Sequence, residues 1–333
     1  MRIICQERLV ERFPALADKL PWVALGSFPT RVDRTFRLGA AVGVELWIKR
    51  DDKSATSYGG NKVRKLELLL GEALAQGARR ILTVGNLGSH HVVATAFYAR
   101  NLGLGCDALL LPQTDSPTIG INMRAASALG ANLIPVASWT DLPRALLKLT
   151  HHLGKDVYII GPGGSSPRGT IGYLVAALEL AAQVAAGDCP EPGTILVPLG
   201  SGGTAAGLLA GLAQTNLQSR VVAVRVVNRL FASHRRTVQI ANQTLNLLKK
   251  LGARPQPLDP TRLEVNDTFF GSGYGVPTPE SKNAVISAKE LEGLELETTY
   301  TGKTLAALIA RDQTWRTPVL LWNTFSPKAK LLG

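Results

Sequence analysis

The segment Tyr58-Gly59-Gly60-Asn61-Lys62-Val63-Arg64-Lys65 has the residue types best suited to covalent chemistry. Two adjacent glycines let backbone pass close to a ligand, and Asn61 is a good helix N-cap. Lys62 then falls at a helix N-terminus, where the positive dipole end lowers an ammonium pKa and favours the neutral amine. An amine so placed suits Schiff-base formation with an aldehyde. Lys65, three residues on, shares that helical face and can hold an anion. The same residues also read as a glycine turn leading into a basic surface helix.

Three further segments sit where strand-like runs end. Gly85-Asn86-Leu87-Gly88-Ser89-His90-His91 precedes a helical stretch, and amides at a helix start bind a carboxylate, with the Ser89 hydroxyl able to join them. Adjacent histidines on a helix point roughly 100° apart, so no metal is expected there. Leu199-Gly200-Ser201-Gly202-Gly203-Thr204 is a strand-to-helix turn able to cradle phosphate with amides and hydroxyls. It lacks the Lys-Ser/Thr ending of a nucleotide P-loop and the glycine spacing of the dinucleotide fingerprint. Gly161-Pro162-Gly163-Gly164-Ser165-Ser166 reads either as cleft lining or as a plain turn. Tyr274 and Tyr300, each beside glycine or threonine, read as packing residues or as catalysts.

These segments need a scaffold, and the sequence supplies an alternating one. β-branched or leucine-rich runs at 45–49, 81–84, 108–111, 133–136, 157–160, 195–197, 221–227 and 319–322 are separated by amphipathic stretches. Those lie at 63–75, 91–102, 123–129, 142–149, 171–185 and 205–212. Such alternation predicts right-handed βαβ units and parallel sheets. A length of 333 residues suggests two domains, and 45% hydrophobic with 19% charged residues excludes disordered and fibrous classes.

Cys5, Cys106 and Cys189 are scattered, which argues against disulfides and zinc and suits a reducing cytosol. Gln6, Glu7 and Arg8 interrupt the first apolar run, so a signal peptide is not expected. No run approaches the roughly 18 uninterrupted apolar residues of a membrane span, so a soluble, cytoplasmic protein is expected. The net charge of +12 does not concentrate: His234-Arg235-Arg236 and Lys249-Lys250 lack interleaved aromatics, so no nucleic-acid partner is expected.

Taken in order, the motifs resemble the 1-aminocyclopropane-1-carboxylate deaminase and D-cysteine desulfhydrase family of pyridoxal-phosphate enzymes. The resemblance runs from about Arg12 to about Thr324. It is tightest in Glu45-Leu46-Trp47-Ile48-Lys49-Arg50-Asp51-Asp52 and in Gly59-Gly60-Asn61-Lys62 through Arg64-Lys65-Leu66-Glu67. It implies a two-domain α/β fold of the tryptophan-synthase-β type (fold type II), with a parallel sheet in each domain and pyridoxal 5'-phosphate in the cleft. The larger domain would comprise residues 1–70 and 171–333, and the smaller, inserted one residues 71–170. A homodimer acting on a small amino acid is implied as well.

By the same resemblance Lys62 is the Schiff-base lysine and Lys65 lies near the cofactor phosphate. Gly200, Ser201, Gly202, Gly203 and Thr204 form the phosphate cup. Ser89, with the amides of His90 and His91, takes the substrate carboxylate, and Tyr274 and Tyr300 flank the substrate. Thr301 and Thr324 stand where the family's deaminases carry Glu and Leu, which is similar to the D-cysteine desulfhydrase branch. A carboxylate beside the pyridine nitrogen makes the ring a stronger electron sink, whereas neutral threonines suit substrates with a good β-leaving group. The implied reaction is α,β-elimination with Lys62 as base, giving a 2-oxo acid, ammonia and sulfide. Cyclopropane ring opening and an idle, cofactor-binding sensor are the alternatives. His90 replaces the family's usual Asn beside the cofactor's phenolic oxygen, and Phe325 falls where the family has Gly.

Overall fold

The computed structural model describes residues 4–116, 118–310 and 315–326. Residues 1–3, 311–314 and 327–333, which the sequence assigns to the larger domain, and Pro117 in the smaller one, lie outside the described residues. Among the described residues the helices are α1 (Ile4–Arg12), α2 (Arg37–Val42), α3 (Lys62–Ala75), α4 (His90–Asn101), α5 (Thr118–Ala128), α6 (Leu142–Leu153), α7 (Pro167–Ala186), α8 (Gly203–Leu212), α9 (His234–Lys250), α10 (Pro279–Glu292) and α11 (Thr301–Ala310). The strands are β1 (Val32–Thr35), β2 (Leu46–Lys49), β3 (Arg80–Asn86), β4 (Gly105–Leu111), β5 (Asn132–Pro135), β6 (Val157–Ile160), β7 (Thr194–Leu199), β8 (Arg220–Arg225), β9 (Leu263–Asn266) and β10 (Val319–Trp322).

The strands build two sheets, ordered β1-β2-β10-β7-β8-β9 and β5-β4-β3-β6. The smaller sheet is parallel throughout and uses only residues 80–160. In the larger sheet β1 runs antiparallel to β2, a departure from the all-parallel expectation. An antiparallel edge strand needs no crossover helix, and β1 is joined to β2 through the short α2.

Helix α7 packs against both α3 and α8, whose first residues border the cleft. Ser166 caps α7 by accepting the Gly169 amide at 3.2 Å, Pro167 opens the helix, and Gly187 closes it at φ +80°. Helix α7 is long and apolar enough to cross a membrane, yet 72% of its apolar window is buried within the fold. Its close approach to α8 depends on glycine: a Cβ on Gly207 would stand 2.4 Å from Tyr173 Cβ, and one on Gly211 2.5 Å from the Leu174 carbonyl.

A buried ion network ties these helices to the large sheet. Lys49 on β2 donates to Glu179 on α7 at 2.6 Å, and Arg64 on α3 reaches Glu179 at 2.9 Å and Asp51 at 2.8 Å. Tyr173 and Trp322 also donate to Asp51, at 2.6 and 2.8 Å. Burial alone would raise the Asp51 carboxyl, but Arg64 and Lys49 outweigh it and hold it near 2. Arg64 lies two residues after Lys62, so the network fixes the start of α3.

Candidate active site

Gly60 adopts φ +89°, and a Cβ there would meet the Thr324 carbonyl at 2.9 Å. Its amide donates to the Asp51 carbonyl at 2.7 Å, and the next amide, Asn61, donates to the Thr324 carbonyl at 3.1 Å. The loop is thus clamped between β2 and the residues after β10, which presents Lys62 as the first residue of α3. Asn61 stands at the N-cap position as expected, but its side chain does not cap the helix. It has helical backbone angles and no capping bond, and its side chain is used across the cleft instead. Asn61 Oδ1 accepts from Lys62 Nζ at 2.8 Å, while Asn61 Nδ2 donates to Thr204 Oγ1 at 3.1 Å.

Burial pushes the Lys62 amine down to about 8, with Glu297 opposing. Desolvation therefore acts in the same direction that the sequence assigned to the helix dipole. Burial, reinforced by the Lys62 charge, also holds Lys65 well below the ordinary lysine value.

The glycine turn after β7 faces that lysine. Gly200, Ser201, Gly202 and Thr204 line the cleft, while the Gly203 amide donates to Ser165 Oγ at 3.1 Å. Lys65 Nζ donates to Ser165 Oγ and to the Gly163 carbonyl, both at 3.2 Å, and Ser165 bonds Ser201 at 2.7 Å. The Gly161–Ser166 segment is therefore cleft lining, and Ser165 is its working residue. An amine, two hydroxyls and the first amides of α8 converge here as an anion cup.

Ser89 precedes α4, lines the cleft and makes no capping bond with its side chain. The first amides of a helix have no intrahelical partner, so those of His90 and His91 face outward beside it. His91 Nε2 meets Thr83 Oγ1 at 3.1 Å, and burial, then the charges of Lys62 and Lys65, keep its ring well below the usual histidine value. Both ring nitrogens of His90 are buried without a partner, and its ring meets Phe325 edge-on at 5.6 Å. Tyr274 and Tyr300 share a hydrogen bond at 2.7 Å. Burial raises both phenols, Tyr274 to about 12, so both are protonated at neutral pH.

Thr324 lines the cleft, but Thr301 does not. Thr301 is fully buried and its Oγ1 donates to Glu297 Oε1 at 3.2 Å, so the sequence-based placement at the ring needs correction. Glu297, which the sequence reading missed, is the carboxylate lining the cleft among the described residues. It accepts the amides of Thr299, Tyr300 and Thr301 at 2.7, 2.8 and 2.9 Å, capping α11. No capping motif marks it, because Tyr300, the residue just before α11, is not a capping type. Gln113 was also missed. It accepts the Gly88 amide at 3.0 Å and braces the Ser89 loop from β4.

A cleft of about 790 Å³ thus contains a desolvated amine, a cluster of amine, hydroxyls and amides suited to an anion, and a helix start whose first amides have no intrahelical partner. Lys62, the cup around Thr204 and the unpartnered His90 nitrogens fit an aldehyde cofactor bearing a phosphate and an acceptor oxygen. Fold and site define a cofactor-dependent enzyme of amino acids. The chain belongs to the pyridoxal-phosphate dependent enzyme family, whose model matches residues 23–323.

It is 34% identical over 299 residues to a D-cysteine desulfhydrase of Yersinia enterocolitica, covering 87% of this chain and 88% of that one. It is 32% identical over 315 residues to a nocardicin C-9' epimerase of Nocardia uniformis, covering 93% and 94%. A solved structure described as an ACC deaminase homologue matches with TM-score 0.80 and 29% identity, covering 96% and 95%. The protein is a pyridoxal-phosphate-dependent enzyme of the group containing D-cysteine desulfhydrase and 1-aminocyclopropane-1-carboxylate deaminase.

Proposed function

We propose that this enzyme is a β-elimination lyase of small D-amino acids with a good leaving group on the β-carbon, D-cysteine among them. The observation that carries this reading is a desolvated Lys62 amine in a cleft whose Thr324 hydroxyl is neutral. Ser89 and the amides of His90 and His91 would hold the substrate carboxylate. The Thr204 cup and Lys65 would hold the cofactor phosphate, and His90 its acceptor oxygen. When bound, pyridoxal phosphate supplies the electron sink for charge developing at the substrate α-carbon.

Lys62 Nζ, depressed toward neutral pH, takes the α-proton as a general base. Tyr274 and Tyr300, both protonated, hold their hydroxyls beside the departing β-group and exclude water. Loss of the leaving group gives an enamine, which takes up water to yield a 2-oxo acid and ammonia.

One observation favours ring opening of the cyclopropane amino acid instead: Glu297 brings a carboxylate to the cleft. Its three amide bonds and the Thr301 hydroxyl already engage it, so the elimination reading is preferred. Release of 2-oxo acid from D-cysteine, L-cysteine, β-chloro-D-alanine and the cyclopropane amino acid decides between them. Pyruvate from the D-substrates with negligible 2-oxobutanoate is expected. Efficient ring opening by the native protein overturns the preference.

A further inference from the structure

The cleft extends beyond the lysine and the anion cup. Its 790 Å³ lies high in the range of about 300–1,000 Å³ that encloses drug-sized ligands. The cavity that Lys62 lines continues to Trp139 and Phe231. Their rings stack with centroids 4.6 Å apart and 29° between planes. Trp139 follows β5 of the smaller sheet and Phe231 follows β8 of the larger, so the pair spans the cleft.

Each ring is presented by a hydrogen-bonded turn. Ser138 Oγ donates to Asp141 Oδ2 at 2.6 Å around Trp139. The Asn228 carbonyl accepts the Phe231 amide at 2.9 Å, and Asn228 Oδ1 accepts the Leu230 amide at 3.0 Å. Neither ring belongs to a hydrophobic core cluster, and Trp139 is 37% exposed. Each ring covers one face of the other, and the aromatic surface they leave open on the cleft is a recognition surface for another ring.

We propose that this end of the cleft takes the substrate side chain, and that the substrates include cysteines carrying an aryl group on sulfur. The proposal rests on the elimination reading above and names its substrate class. The Cα–H bond breaks and its proton goes to Lys62 Nζ. The Cβ–S bond breaks with its electron pair leaving on sulfur, and the thiolate takes up a proton to depart as the aryl thiol. The enamine left behind takes up water to give pyruvate and ammonium, so no oxidant or reductant is needed. An aryl thiolate leaves more readily than hydrosulfide, which suits a ring sink with no free carboxylate partner.

The test compares pyruvate release from S-phenylcysteine and cysteine, both enantiomers of each, by cofactor-loaded protein and by Trp139→Ala and Phe231→Ala. The parent should favour S-phenylcysteine in kcat/KM. Either substitution should lower that preference about 10- to 100-fold, through KM, from lost ring contact and apolar area. An unchanged preference overturns the proposal, and so does a parallel loss on both substrates, which would assign the pair to cleft closure. If no substrate yields pyruvate, the elimination reading fails by itself. Calorimetric binding of S-phenylcysteine then decides the side-chain site: weakening of tenfold or more in both variants supports it, and unweakened binding overturns it.

Discussion

Replacing Gly203 with alanine should lower cofactor retention while leaving the fold intact. Gly203 is the first residue of α8 and has no positive φ, so alanine suits its backbone and gains up to about 1 kcal/mol of helix propensity. The new Cβ, however, would stand 2.5 Å from Ser165 Oγ, 2.9 Å from Ser165 Cβ and 2.9 Å from Lys65 Nζ. The hydroxyl must turn and the ammonium must retreat, and these are the groups that converge on the anion cup. Losing one hydrogen bond to a charged phosphate costs about 1.5–3 kcal/mol, or roughly 10- to 150-fold in affinity. Protein stripped of cofactor should lose no more than about 1–3 kcal/mol of stability, the usual cost of overpacking, because Lys65 can swing away but Ser165 Cβ moves only with its backbone. Titration of stripped protein with pyridoxal phosphate, followed by visible absorbance, measures the first quantity, and thermal melts measure the second. Unchanged cofactor affinity would refute the cup. A large loss of stability in the stripped protein would show that the crowding falls on the fold.

Lys62→Ala should abolish the visible band that borohydride fixes to the protein, and peptide mapping that still finds a fixed adduct elsewhere would reassign the lysine. Because Lys62 is charged below about 8 and neutral above it, cofactor capture by stripped protein should accelerate about tenfold per pH unit up to that point and then level off. A rate that keeps climbing through the ordinary lysine range would show an undepressed amine. Thr204→Val removes a cup hydroxyl and the acceptor for Asn61, and should weaken cofactor affinity about 10- to 150-fold in the same titration. Burial lowers His90 below the ordinary 6.5, so any spectral titration it causes should lie on the acid side and vanish in His90→Asn. Identical pH profiles in the two proteins would place His90 away from the cofactor.

Much of the scaffold was legible because its strands are apolar runs ending in glycine-rich turns. The runs at 157–160 and 319–322 coincide with β6 and β10 residue for residue. β1 escaped notice because Val32-Asp33-Arg34-Thr35 carries two charges, which an edge strand tolerates and a central one does not. The direction expected at Lys62 from the helix dipole holds, but the burial that also lowers the amine was not legible, since burial is a tertiary property. Asn61 and Thr301 show the same limit. Each has a residue type whose local preference is clear, yet each spends its side chain on a partner chosen by packing, Thr204 for one and Glu297 for the other. Gln113 and Glu297 were missed because they act from loops whose approach to the cleft has no periodic trace.

β10 lies between β2 and β7, so the larger sheet is two unjoined pieces until the last described strand enters. That strand also brings the Trp322 donor for Asp51, and the Thr324 carbonyl against which Gly60 and Asn61 are set. During synthesis the smaller sheet, made of residues 80–160, can pair as soon as it emerges from the ribosome. The lysine loop cannot. One side of its clamp, the Thr324 carbonyl, is translated about 260 positions after Lys62. A nascent chain halted before β10 would therefore display the lysine and the glycine turn but no assembled site, and cofactor loading becomes an event that follows translation.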